Sequence, residues 1–135
     1  MTATRMVSQT FDQTWRTPRA LYVPLDHEFH FDYDPCPPNP EVNGIFSEWG
    51  GCNFVNPPYG RPIAQWLRKG LGEMRKGKIS VFLLPAYTDV AWFHDLVLPY
   101  ASEIRFLKGR LKFGDAKEGA PFASMLVIFK PTVST

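Results

Sequence analysis

Hydrophobic and polar positions along the chain follow helical and strand periods in turn. Apolar residues recur at helical spacing from Ile63 to Met74, and the other face of that segment is basic, which indicates an amphipathic helix. A continuous apolar run from Ile79 to Leu84 ends at Pro85 and predicts a central strand that is buried on both faces. Further strands are predicted at Gly51–Val55, Glu103–Leu107, Arg110–Phe113 and Ser124–Phe129.

Prolines mark several predicted boundaries of helices and loops in the first third of the chain. Thr17-Pro18 predicts a helix that starts with Thr17 as N-cap and that Pro24 kinks or shortens. His30–Asp34 alternates apolar and polar residues and predicts a short strand. The Pro35–Pro40 segment, with four prolines in six residues, predicts a rigid irregular loop. A last helix is expected around Trp92 to Val97.

This alternation of strands and helices predicts an α/β fold in three layers. The closing strands, joined by hairpin-length loops, predict a compact mixed sheet with an antiparallel C-terminal hairpin. The 135 residues fit one domain, 1–135, of which the polar residues 1–12 are expected to be loosely held. Ligands in such sheets bind beyond the carboxyl ends of strands, where Asp34-Pro35 and Asn56-Pro57-Pro58-Tyr59 are predicted to lie.

Composition excludes several classes of protein. Hydrophobic residues make up 44% and aromatic residues 15%, as in a packed domain rather than a disordered tail. Cys36 and Cys52 show no metal-ligand spacing, so no metal site is expected. The N-terminus has no apolar signal core and no run approaches membrane-spanning length. The sequence therefore predicts a soluble cytoplasmic protein without a membrane partner.

The Asn56-Pro57-Pro58-Tyr59 loop carries the strongest chemical signal. Two successive prolines fix φ and remove two N–H donors, so the Asn56 and Pro57 carbonyls stay rigidly aimed. With the Asn56 side chain, these acceptors can hold an exocyclic amino group and make it nucleophilic through preorganised dipoles. Tyr59 offers a π-face on which a flipped base can stack.

The loop and its surroundings resemble the phage-type DNA N6-adenine methyltransferase family. The similarity covers about residues 8–130. The motifs that carry it are Trp15–Pro18, Phe31–Cys36, Trp49–Gly60, Leu84–His94, Glu103–Phe113 and Ala120–Phe129. The resemblance implies a Rossmann-like class I methyltransferase fold, a bacterial host cell and an S-adenosyl-L-methionine site.

The resemblance also implies roles for individual positions. Thr17-Pro18 resembles a motif that helps to hold the methionine end of the cofactor, and Asp34-Pro35 resembles its binding turn. Asn43 occupies the place near the adenine ring where related enzymes often have an acidic residue. Adenine would leave the DNA stack, with Asn56 and the Pro57 carbonyl binding N6 during direct methyl transfer.

Charge adds a prediction about DNA. The formal net charge is only +2, but basic residues cluster in two stretches of the chain. The residues expected to contact phosphates are Arg61, Arg68, Lys69, Lys108, Arg110 and Lys112. No insertion after Tyr59 has the size of a target-reading domain, so low sequence specificity is expected.

Three questions stay open at this level. The same tetrapeptide serves amino-group methyltransferases that act on RNA or on protein glutamine. The absence of a Gly-x-Gly after Asp34 also keeps a non-catalytic nucleic-acid-binding relic of the fold in view. The oligomeric state is undetermined, and a homodimer is one way for a small chain to cover DNA.

Overall fold

The computed structural model describes residues 17–37 and 43–132. The predictions for residues 1–12 and for Pro38 and Pro40 lie outside the described residues, as does the start of the Trp15–Pro18 motif. The regular elements in chain order are α1 (Arg19–Phe29), β1 (Cys52–Val55), α2 (Pro62–Arg75), β2 (Ile79–Pro85), a π-helical segment (Phe93–Val97), β3 (Glu103–Phe106) and β4 (Ser124–Phe129).

The four strands form one mixed sheet in the order β1-β2-β4-β3. β1 and β2 are parallel, whereas β4 is antiparallel to both of its neighbours, so it alone of the four runs against the rest. An isolated parallel bridge between Tyr33 and Asn53 extends the sheet beyond β1. The mixed sheet is thus confirmed, and the antiparallel pair at its C-terminal end is formed by β3 and β4.

Side chains of β2 alternate between two apolar clusters, which places helices on both faces of the sheet. Val81 and Leu83 pack on the same side as Leu25 of α1. Phe82 and Leu84 pack with the apolar face of α2 and with the π-helical segment. All four of these β2 side chains are fully buried, as the apolar run predicts. The described residues therefore form an α/β domain in three layers.

Helix α1 differs from its prediction at both ends. Pro18, not Thr17, is the N-cap residue, and no side chain caps the helix. Pro24 lies inside α1, which nevertheless continues to Phe29, so the expected shortening is wrong. At its far end, Glu28 accepts two hydrogen bonds from Arg105 of β3, at 2.8 and 2.6 Å. This ion pair links α1 to β3, the edge strand farthest from β1.

Two predicted strands are also corrected. The His30–Asp34 strand is reduced to the single bridge at Tyr33. Residues 110–113 form no strand, and the partner of β4 is β3. The physical reason is that β2 and β3 occupy both hydrogen-bonding edges of β4, while Phe113 turns into the core. The connection from β3 to β4 is consequently the long segment 107–123 rather than a hairpin-length loop.

No helix in the described ranges combines the length and apolar character needed to cross a bilayer.

Candidate active site

Two loops meet at the carboxyl edge of the parallel part of the sheet. The Tyr33 carbonyl accepts a hydrogen bond from the Phe54 amide at 3.1 Å, so this segment runs beside β1 in the same direction. Asp34-Pro35 therefore leaves the sheet on the same side as Asn56-Pro57-Pro58-Tyr59. Pro35 and Pro57 are buried, whereas Asp34 and Pro58 are exposed at the rim. The structure thus brings these two predicted loops side by side.

Thr17 contacts the tetrapeptide directly. The Asn56 side-chain Nδ2 donates a hydrogen bond to Thr17 Oγ1 at 3.3 Å. This bond fixes the rotation of the Asn56 amide and hence the direction of its Oδ1 acceptor. The threonine hydroxyl that was expected to cap α1 serves the loop after β1 instead.

Tyr59 is anchored through both its hydroxyl and its ring. The hydroxyl donates to the Leu83 carbonyl of β2 at 3.2 Å. The ring meets Phe122 at 5.4 Å between centroids and Phe113 at 6.4 Å, in steeply inclined, edge-type contacts. Burial, with a smaller contribution from Tyr87, raises the pKa of the Tyr59 hydroxyl, so it stays a protonated donor. Its packing ties the tetrapeptide to β2 and to segment 107–123.

Asp34 and Asn43, two of the predicted cofactor residues, form turns next to each other. Asp34 Oδ1 accepts the Cys36 amide at 2.9 Å, and Asn43 Oδ1 accepts the Ile45 amide at 3.0 Å. Although Asp34 is exposed at the rim, the protein around its carboxyl group removes part of the surrounding water and raises its pKa, and the Cys36 hydrogen bond opposes that effect. Gly44 lies so close to Pro35 that an added Cβ would be 1.8 Å from the Pro35 carbonyl oxygen. Only glycine permits this approach of the Asn43 turn to the Asp34 loop.

A buried carboxylate holds the Asn43 turn in place from α2. The Trp49 indole N–H donates to the Gly44 carbonyl at 2.8 Å, and the Trp49 backbone N–H donates to Glu73 Oε1 at 3.2 Å. Burial alone would raise the pKa of Glu73. Hydrogen bonds from three lysines and from the Trp49 amide outweigh it and lower that pKa to about 2. The lysines are Lys69, Lys76 and Lys78.

The predicted phosphate-binding residues fall into two groups. Lys69 is half-buried, pairs with Glu73 at 3.1 Å and lies 5.9 Å from the centre of the Trp49 ring, so its charge is already compensated. The other five are exposed at the surface, two near α2 and three on segment 107–123. They are Arg61, Arg68, Lys108, Arg110 and Lys112.

A family model confirms the resemblance drawn from the motifs. The model that matches is that of the DNA N-6-adenine-methyltransferase (Dam) family, and it covers residues 4–134. The chain belongs to this family. The predicted enzyme class, a DNA adenine methyltransferase, is thereby confirmed at the level of the family.

A curated relative agrees with this assignment. The chain is 28% identical over 137 residues to a DNA N-6-adenine-methyltransferase of Haemophilus phage HP1 (strain HP1c1). The alignment covers 87% of this chain and 78% of that methyltransferase. No solved structure matches the chain.

Sequence reasoning missed two sets of residues around the site of this Dam-family chain. One is an aromatic group in which Phe113 and Phe122 pack on Tyr59 and Tyr87 packs on Phe122. The other is Glu73, which accepts a hydrogen bond from the Trp49 backbone N–H behind the Asn43 turn. The signals available for Glu73 were a charge inside an apolar helix face and the helical spacing of Lys69 and Lys76 from it, whereas its bond to Trp49 is a tertiary contact.

Proposed function

We propose that this chain transfers a methyl group from S-adenosyl-L-methionine to N6 of adenine in DNA. The observation that supports this most is the Asn56-Pro57-Pro58-Tyr59 loop at the carboxyl edge, in a chain that matches the family model along nearly its whole length. The sheet, with parallel strands and one antiparallel strand near an edge, is compatible with a Rossmann-like class I methyltransferase fold.

The chemistry of the residues beside this loop fits the proposed cofactor. S-adenosyl-L-methionine carries an ammonium group, ribose hydroxyls and an adenine amino group, all of which donate hydrogen bonds. The Asp34 carboxylate and the Asn43 turn supply acceptors at this edge, and Thr17 adds a hydroxyl. When bound, the cofactor supplies an electrophilic methyl group. Thr17, Pro18, Asp34, Pro35 and Asn43 are the residues proposed to hold it.

Asn56 and Pro57 are proposed to act on the adenine amino group. Their carbonyl oxygens, with Asn56 Oδ1, accept its hydrogens and increase the nucleophilicity of N6 without proton transfer in the ground state. The Thr17 hydrogen bond preorganises the Asn56 amide, so no reorientation is needed in the transition state. The proton can leave to water after methylation.

Base flipping is proposed because N6 cannot reach this edge from within a stacked duplex. Tyr59 is proposed to support the extruded base, and Pro58 forms part of the exposed rim. Arg61, Arg68, Lys108, Arg110 and Lys112 are proposed phosphate contacts, because each is exposed. Lys69 is left out of this set because of its ion pair with Glu73.

Incubation with cofactor labelled in its methyl group, and with separate pools of DNA, RNA and protein, tests the proposal. Label is expected in DNA, at adenine N6 after digestion to nucleosides, and the Asn56→Ala variant should lose it. Label in RNA or in glutamine would support the other amino-group substrates. A chain that binds DNA but shows no calorimetric binding of the cofactor at millimolar concentration would be the non-catalytic relic.

A further inference from the structure

Segment 107–123 is a long connection without regular secondary structure at the carboxyl edge. It leaves β3 after Phe106, which pairs with Met125, and enters β4 at Ser124, which pairs with Pro85. Both of its ends therefore lie on the side of the sheet that carries the tetrapeptide. Connections longer than about 12–15 residues are uncommon in compact domains and are usually functional.

The segment is folded back on itself rather than loose. The Ala120 amide donates to the Leu111 carbonyl at 2.8 Å, and Arg110 Nη1 donates to the Ala120 carbonyl at 3.3 Å. Phe113 is buried, and Phe113 and Phe122 are the rings that contact Tyr59. Its base is thus fixed to the candidate active site, and its polar residues project from there.

Segment 107–123 carries exposed charges of both signs. Four cations lie on this segment, and all are exposed: Lys108, Arg110, Lys112 and Lys117. Between Phe113 and Pro121 the chain lines an open cavity of about 450 Å³ that includes Asp115 and Glu118. Basic residues suit phosphates, and a carboxylate in a DNA groove accepts hydrogen bonds from exocyclic amino groups, such as cytosine N4.

We propose that segment 107–123 is the part of this chain that reads the bases beside the target adenine. Its cations grip the backbone on both sides, and Asp115 and Glu118 discriminate neighbouring base pairs by their amino groups. The contact of Phe113 and Phe122 with Tyr59 then couples a correctly docked segment to the support of the extruded base. The proposal rests on the proposed function and adds to it a determinant of sequence context.

Lysine reactivity tests the docking without requiring turnover. The full chain is treated with an amine-acylating reagent, with and without duplex DNA of random sequence, and acylation is measured by mass spectrometry. Lys108, Lys112 and Lys117 are expected to be protected several-fold by DNA. Lys130 follows β4 at the opposite end of that strand and serves as the internal control. Equal reactivity of the three lysines with and without DNA would overturn the proposal.

The reading of bases is tested with the double variant Asp115→Asn and Glu118→Gln. Parent and variant methylate a random duplex pool, and the bases that flank N6-methyladenine are sequenced. The ratio of rates between the best and worst contexts should change about tenfold, because each lost contact carries discrimination. Asp95→Asn, an exposed carboxylate in the π-helical segment, is the matched control.

The outcomes separate this inference from the proposed function. If DNA protects the lysines of the parent protein but adenine is not methylated, the proposed function is contradicted and the DNA-docking surface is still supported. If the parent protein methylates DNA and the double variant has the same context preference, in order and in extent, only the base-reading role is contradicted. A uniform fall in rate over all contexts would likewise count against base reading.

Discussion

At the scale of single residues, the amide of Asn56 is the group on which the proposed chemistry depends. Its Nδ2 is held by Thr17 and its Oδ1 is thereby oriented. The side chain is half-buried just after the end of β1. Loss of that amide should therefore affect the reaction more than the fold.

Asn56→Ala is expected to lower the methylation rate by about a hundredfold or more, by analogy with removal of one preorganised hydrogen-bonding group from an oxyanion hole. Steady-state assays with labelled cofactor would measure the rate. Circular dichroism and the melting temperature should match those of the parent. Near-normal turnover in this variant would reject the tetrapeptide as the catalytic loop.

Tyr59 allows the ring and the hydroxyl to be tested apart. Tyr59→Phe removes the hydrogen bond to the Leu83 carbonyl and should lower the free energy of unfolding by about 0.5–1.5 kcal/mol. Tyr59→Ala also removes the ring that packs on Phe113 and Phe122, and should reduce activity far more. Activity of both variants, measured well below their melting temperatures, distinguishes the two roles. Equal damage by both would argue against a role of the ring in supporting the base.

At the scale of elements, α2 combines a core face with a charge network around Glu73, in which helical spacing supplies Lys69 and folding adds Trp49. Glu73 is buried, and it holds Trp49 and the Asn43 turn against the Asp34 loop. Three lysines that the sequence places on a solvated helix face or just after it instead compensate one carboxylate. The helix thus shapes the proposed cofactor side of the site.

The lowered pKa of Glu73 predicts a specific acid sensitivity. Its pKa falls from an ordinary value of 4.5 to about 2 on folding. The unfolded chain therefore binds the proton first as the pH falls. The stabilisation is fully present above about pH 4.5 and is lost as the pH falls through about 2.

Glu73→Gln should lower the free energy of unfolding by about 2–3 kcal/mol at pH 7, because three lysines lose their counter-charge. The difference from the parent should shrink between pH 4.5 and pH 2, as denaturant titrations at several pH values would measure. Glu48→Gln is the control, because the Glu48 side chain is 78% exposed and its pair with Lys78 should contribute at most about 1 kcal/mol. A pH-independent difference would contradict the ion-pair explanation.

At the scale of the whole molecule, the five exposed cations proposed to contact phosphates lie at α2 and on segment 107–123, while the sheet carries the core. This distribution favours phosphate contacts around one edge rather than a uniformly basic surface. DNA binding is therefore expected to depend strongly on salt, with any context preference confined to bases close to the target adenine.

Arg110→Ala with Lys112→Ala should weaken binding similarly on all sequences. Each lost phosphate contact reduces the slope of log affinity against log salt by about 0.9 on duplex DNA. Fluorescence anisotropy at several salt concentrations would measure the slope, and Lys130→Ala is the control. A stringent motif of four or more base pairs, methylated to completion with other adenines untouched, would contradict short-range context reading.

Local patterns were sufficient to predict much of this protein. The apolar run at Ile79–Leu84 and the helical spacing after Pro62 locate β2 and α2 closely, because burial imposes these periods directly on the sequence. The tetrapeptide and its neighbouring motifs identified the family. The edge at which Asp34 and Asn56 lie also followed from the order of the elements.

Only the tertiary structure decided which partners those residues meet. Thr17 bonds to Asn56, 39 residues away, instead of capping α1. Trp49 donates its backbone N–H to Glu73, 24 residues away, and residues 110–113 find both edges of β4 occupied. Each of these outcomes depends on hydrogen bonds between segments that folding brings together. A local period of hydrophobicity specifies which face of an element is buried, but not which polar group of another segment will contact that element.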